Sequence, residues 1–149
     1  MASANLLLVL ALLGQLAQNG VAPEQTAVDS ILIVKSARTL TLLHAGKTLK
    51  TYKVVLGSNP VGPKEREGDG KTPEGEYTID GRNAHSRFHR ALHISYPSAA
   101  DRERARKRGV NPGGDIMIHG LRNGLGWMGP AHRLRDWTQG CIAVTNAEF

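Results

Sequence analysis

The chain runs to 149 residues, 40% hydrophobic and 21% charged, which is one domain's worth of sequence with enough apolar material for a core. A single cysteine excludes an internal disulfide framework and any Cys-rich zinc module, and a 5% aromatic share leaves little for stacking platforms. Nineteen Lys and Arg against 13 Asp and Glu give +6, basic but not extreme, and no apolar run approaches the roughly 18–20 residues of a membrane span.

At the amino terminus Leu6–Leu13 (LLLVLALL) is followed by a polar stretch and then Val21-Ala22-Pro23. A short hydrophobic run with small residues after it predicts a secretory signal over residues 1–22, cut near Ala22, and hence an exported protein of the periplasm or cell envelope. No Lys or Arg precedes the run, so the alternative is a helix of the mature protein. Strand-like sequence starts near Asp29. Ser30–Lys35, Thr39–His44 and Thr48–Leu56 read as three strands of a meander, the last with Leu49, Tyr52 and Val54 as core candidates. Gly57–Gly75 holds five Gly and three Pro and reads as a loop. Glu76–Asp80 is expected to be a short strand, and Ala91–Tyr96 puts Leu92, Ile94 and Tyr96 on one face. Ser98 offers an N-cap with Asp101 three residues on, and the helix it starts runs to about Arg108 and stops at Gly109. Asp115–His119 follows the Pro112-Gly113-Gly114 breaker as a further strand. Many short strands with one or two short helices predict a mainly β fold, a sandwich or barrel.

The chemistry centres on Cys141, which sits in Trp137-Thr138-Gln139-Gly140-Cys141-Ile142. A lone cysteine is commonly an inert small hydrophobe. Here Gly140 permits close approach of a substrate, and successive amides round such a turn can converge as an oxyanion site. A thiol with a pKa near 8.5 needs a base beside it. His119 ends the apolar run Ile116-Met117-Ile118 and precedes Gly120, far enough upstream for a loop to bring two strand ends together. His85, His89 and His93 are spaced by four but lie in extended sequence without an acidic ligand, so no metal is expected there. His44 and His132 read as turn or loop residues.

These residues resemble the L,D-transpeptidase catalytic domain, the YkuD-like family. Its His-Gly and Ser/Thr-x-Gly-Cys elements are similar to His119-Gly120 and Thr138-Gln139-Gly140-Cys141. Gly68-Asp69-Gly70-Lys71-Thr72-Pro73-Glu74-Gly75 resembles its GDG-x-TPEG segment, and Pro112-Gly113-Gly114-Asp115 its PGG lead-in. The likeness covers about residues 29–149 and implies a YkuD-like β-sandwich of mixed sheets with one or two short helices. Gln139 stands where the family often has His, as in a branch reading Asp-Trp-Thr-x-Gly-Cys, and Ala143 stands where Arg or Asn is common. Relatives commonly continue past the position of Phe149, which leaves a closing element beyond it as an expectation.

The resemblance implies acyl transfer on peptidoglycan stem peptides, with Cys141 as nucleophile and His119 as proton donor and acceptor. The Gly120 carbonyl would orient the imidazole, and the Gly140 and Cys141 amides would form the oxyanion site. Thr138 and Trp127 are the candidate substrate contacts, while Trp137 reads as core. Gly120–Gly129, with four glycines, could close as a lid over the thioester. The acceptor would be an amine of a second stem peptide or of an anchored lipoprotein. No cofactor, no metal and no nucleic acid is implied, and Arg102–Arg108 reads as a solvated helix face. Two other readings compete: an L,D-carboxypeptidase or endopeptidase that gives the acyl group to water, and a non-catalytic wall-binding module.

Overall fold

The computed structural model describes residues 27–149. The expected signal segment, residues 1–22, lies outside the described residues. Two sheets face each other. The first is an antiparallel meander of β1 (Ser30–Val34), β2 (Thr39–His44) and β3 (Lys47–Lys53) in the order β1-β2-β3. The second, in the order β4-β5-β6-β7, contains β4 (Ile79–Ser86), β5 (His89–Ile94), β6 (Met117–His119) and β7 (Ile142–Ala143). Only this sheet is mixed, because β6 and β7 run parallel while the other pairs are antiparallel.

Ile31, Ile33, Leu40 and Val54 from the meander side meet Ile118, Ile142 and Val144 from the second sheet in one core that also holds Leu56, Tyr96 and Ile116. Alternation along each strand selects which residues face inward. The expectation fails at Leu49, which is 42% exposed. Leu42 pairs with Lys50 and Leu43 with Thr48, so Leu49 is the extra residue of a bulge and the alternation breaks there. Glu76–Asp80 is likewise not the observed strand. β4 begins at Ile79 and runs through polar, largely exposed sequence, held by its pairing with β5 rather than by an apolar face. His44 belongs to β2 rather than to a loop.

Beyond β3 the chain leaves the first sheet and joins the second. Val55 exchanges both backbone hydrogen bonds with Ala143, and Gly57 bridges Thr138. Between β5 and β6 lies α1 (Ala99–Arg108). The Ser98 hydroxyl accepts from the Asp101 amide while the Asp101 carboxylate accepts from the Ser98 amide, and Gly109 closes the helix at φ 67°. Asp101 and Ala105, one turn apart, are its buried residues; Arg104 pairs with Asp101, Arg106 and Lys107 with Glu103, and Arg108 with Glu65. Gly126–Leu134 is a stretch of 3-10 helix kinked at Gly129.

Candidate active site

The register of the second sheet assembles the site. Ile118 pairs with Ile142 and His119 with Ala143, so one residue back Met117 lies beside Cys141. Ile118 and Ile142 face the core, which turns His119 and Cys141 to the opposite face, two positions apart on adjacent parallel strands. His93, paired with Met117, and Ala91, paired with His119, extend the same face.

His119 is buried, and its Nδ1 lies 2.7 Å from the Gly120 carbonyl oxygen. A carbonyl only accepts, so Nδ1 carries the proton and Nε2 keeps its lone pair. Phe88 and Trp137 cover the imidazole, with ring centroids 4.6 and 6.0 Å away. Burial lowers the pKa of His119, against the opposing pull of the Gly120 carbonyl. Gly120 must be glycine for space: a Cβ there would meet Asn146 Oδ1 at 2.8 Å and His89 Cβ at 3.0 Å. Asn146 Oδ1 also accepts from the Leu121 amide at 2.8 Å, tying the loop after His119 to the chain beyond β7.

The Cys141 thiol donates to the Asp115 carbonyl, with Sγ 3.6 Å from the oxygen, at the end of the β6 approach remote from His119. Burial pushes its pKa up and the Asp115 carboxylate adds to this, while the Met117 amide and Lys64 act in the opposite sense. The resting pair is therefore neutral thiol and neutral imidazole, not the thiolate–imidazolium pair that a depressed thiol pKa would give.

The turn carrying Cys141 is fixed from below. Thr138 Oγ1 donates to the Cys141 carbonyl at 2.7 Å and accepts from the Gly140 amide at 3.1 Å, and Thr138 is buried. Thr138 thereby shapes the turn that carries the nucleophile. The Gly140 amide, expected from the sequence as an oxyanion donor, here donates to that hydroxyl. Gly140 has φ 131°, and a Cβ would lie 2.7 Å from the Lys71 carbonyl oxygen. The Gly57–Gly75 loop therefore forms the floor of the nucleophile. Within it the Thr72 hydroxyl accepts from the Gly57 amide at 2.9 Å, and Lys35 Nζ reaches the carbonyls of Gly62 and Thr72 and the Glu74 carboxylate. Asp69, 2.8 Å from Lys64 Nζ, also accepts from the amides of Glu65, Arg66 and Lys71.

The two tryptophans differ sharply in exposure. Trp127 is 82% exposed on the 3-10 segment, whereas Trp137 is half-buried against Phe88 and His119 and lines a cavity of about 590 Å³. His132, read as a loop residue, is buried in the 3-10 segment with its ring edge-on to Trp137. His93 binds Asp80 through Nδ1 and has Nε2 3.9 Å from Asp115, while His85 is exposed and His89 half-buried. Sequence reasoning missed Asn146 and Asp136. The latter takes the Leu56 amide at 3.0 Å and both Nε and Nη2 of Arg38, and its position in Asp-Trp-Thr-x-Gly-Cys was the available signal.

Comparison with known proteins identifies the family. The YkuD family model, described as the L,D-transpeptidase catalytic domain, matches residues 29–149. Over 97 residues the chain is 38% identical to "Putative L,D-transpeptidase YafK" of Escherichia coli (strain K12) and to its namesake in Escherichia coli O157:H7. That match takes in 60% of this chain and 37% of each relative's length. Among solved structures, that of Bdellovibrio bacteriovorus Bd1075 has a TM-score of 0.54 at 24% identity, over 79% of this chain and 40% of that one, a likeness of fold.

Proposed function

The chain belongs to the L,D-transpeptidase catalytic domain family, and from that premise we propose that it performs cysteine acyl transfer on peptidoglycan stem peptides. The observation that carries the reading is the pairing of His119 with Ala143, which puts Cys141 and an imidazole with a free Nε2 on one sheet face.

In this reading the thiol swings from the Asp115 carbonyl towards His119. As sulfur attacks the carbonyl of the L,D-bond after the third stem residue, Nε2 takes the thiol proton. The C–O π bond opens to an oxyanion that accepts from the Cys141 amide. Collapse breaks the C–N bond, and imidazolium returns the proton to the departing D-alanine amine. An amine acceptor, from another stem peptide or an anchored lipoprotein, then attacks the thioester, gives its proton to Nε2, and frees the cysteine. Because thiol and imidazole both rest neutral, His119 acts as a general base during attack. The reading fits an enzyme of the cell envelope, where its substrate is found.

The test is mass spectrometry of the protein incubated with disaccharide-tetrapeptide, with and without an amine acceptor. Transfer predicts an acyl-enzyme and a tripeptide–acceptor conjugate, both lost in Cys141→Ala. Tripeptide alone at millimolar acceptor would assign the site to hydrolysis, and neither adduct nor product would refute catalysis.

A further inference from the structure

A cavity of about 590 Å³ lies against Phe88 and Trp137, the rings that cover His119, and neither Cys141 nor His119 lines it. One wall is Phe88, Leu121 and Trp137. The other is Leu125, Met128, Ala131 and Leu134, which line it as one stripe from both sides of the kink at Gly129. Among the described residues nothing covers this stripe: Leu134 is 90% exposed and Leu125 40%. Meanwhile His132, in the same segment, is buried with neither ring nitrogen hydrogen-bonded. A segment folded for its own stability would bury the leucines and pair the imidazole; this one does the reverse.

Charge at the groove is one-signed. Arg122 and Arg135 line it, and Arg87 joins Arg122 and Phe88 around an adjoining cavity of about 290 Å³. Among the described residues none of these three guanidinium groups makes a salt bridge. The acids nearest to them in sequence have other partners: Asp80 and Asp115 lie against His93, and Asp136 is held by Arg38 and the Leu56 amide. Three arginines that make no salt bridge among the described residues, beside an open apolar groove, select an occupant with an apolar body and a negative end.

We propose that the groove between Trp137 and the Leu125–Leu134 stripe binds one anionic amphiphile, a single aliphatic chain ending in a carboxylate, with the chain on the stripe and the head on Arg122 or Arg135. The volume is that of a small-molecule site, about 300–1,000 Å³, which fits one chain rather than a bilayer surface. The ligand would touch Phe88 and Trp137, the two rings that cover His119, while neither Cys141 nor His119 lines the groove.

The full chain is titrated with decanoate below its micellar concentration, followed by tryptophan fluorescence and calorimetry. The expected result is saturable one-to-one binding, with decyltrimethylammonium at least about tenfold weaker, since its chain is equal and its charge reversed. Ala131→Leu, which fills the groove, and the double change Arg122→Gln with Arg135→Gln each weaken decanoate about tenfold or more. Leu134→Ser, at an exposed position that leaves the fold alone, weakens both ligands. Circular dichroism confirms folding of each variant. Absence of saturation below a few millimolar, equal binding of the cation, or insensitivity to all variants overturns the proposal. Binding only to anionic phospholipid vesicles overturns it in favour of surface docking, and displacement of decanoate by disaccharide-tetrapeptide overturns it in favour of a substrate subsite.

Discussion

Replacing Asp69 with asparagine removes a negative charge on which four donors converge: Lys64 Nζ at 2.8 Å and the amides of Glu65, Arg66 and Lys71 at 2.8, 3.1 and 3.0 Å. Both charged side chains are nearly buried, at 3% and 7% exposure. Losing one member of such a pair leaves the other charged and unpaired away from water, a cost of about 3–5 kcal/mol. Against a total stability of about 5–15 kcal/mol this is a large share, and for a domain of this size it lowers Tm by roughly 10–20 °C. The pH dependence has a definite sign. Burial pushes the Asp69 carboxyl up, but Lys64 and the three amides together hold it well below the usual carboxylate range. A depressed folded-state pKa contributes stability above the unfolded carboxyl's value of about 3.9, and that stability drains away as pH falls below it. Melting curves of Asp69→Asn and the parent, followed by far-UV circular dichroism, should therefore be far apart at pH 7, begin to approach below about pH 5, and go on approaching as the pH falls below about 3. A variant melting within about 2 °C of the parent at pH 7 would refute the account of the loop.

Iodoacetamide labelling of Cys141 in the parent should titrate with an apparent pKa above the ordinary thiol value of about 8.5; a value below about 7 would restore the resting ion pair. His119→Ala should abolish turnover yet leave this labelling profile nearly unchanged, because the imidazole acts during attack; labelling that collapses with it would contradict the neutral pair. Asp115→Asn, which keeps the left-handed backbone preference at φ 53° but removes the carboxylate, should speed labelling at pH 7.5 by ~2–5-fold, and a slower rate would mean the charge does not reach the thiol. Gly140→Ala should cost at least about 2 kcal/mol in urea unfolding and most of the activity, since its Cβ would strike the Lys71 carbonyl; wild-type behaviour would show that the floor yields.

What could be read from the residues was what short-range chemistry decides. Ser98, Asp101 and Gly109 specify α1 because each cap needs only its neighbours. Leu49 misled because its bulge is decided by how Leu42 and Leu43 pair, and β4 was misplaced because its polar sequence takes its form from β5. At the site, His119 and Cys141 stood out by residue type and order. The state of the thiol did not, since it depends on burial and on an Asp115 carbonyl brought near by the β6–β7 register. Trp127 and Trp137 both flank the motif loop, and only the kinked 3-10 segment decides which projects and which covers the imidazole. The interval of three from Leu125 to Leu134 was visible but belongs to neither of the two common periods.

The stretch from Val54 to Ser58 leaves the first sheet to bond Ala143 and Thr138. It takes the Thr138 amide on the Leu56 carbonyl and gives the Ser58 amide to the Thr138 carbonyl, so the turn bearing Cys141 hangs from a segment most of the chain's length upstream. Contacts of such long sequence separation form late, because their loop-closure entropy is met only once the intervening strands are in place. A partly folded chain would carry an ordinary thiol on a loose turn, with no buttress beneath it and no imidazole on the same face. Reactivity is then a property of the completed topology, acquired at the same step as cooperative stability.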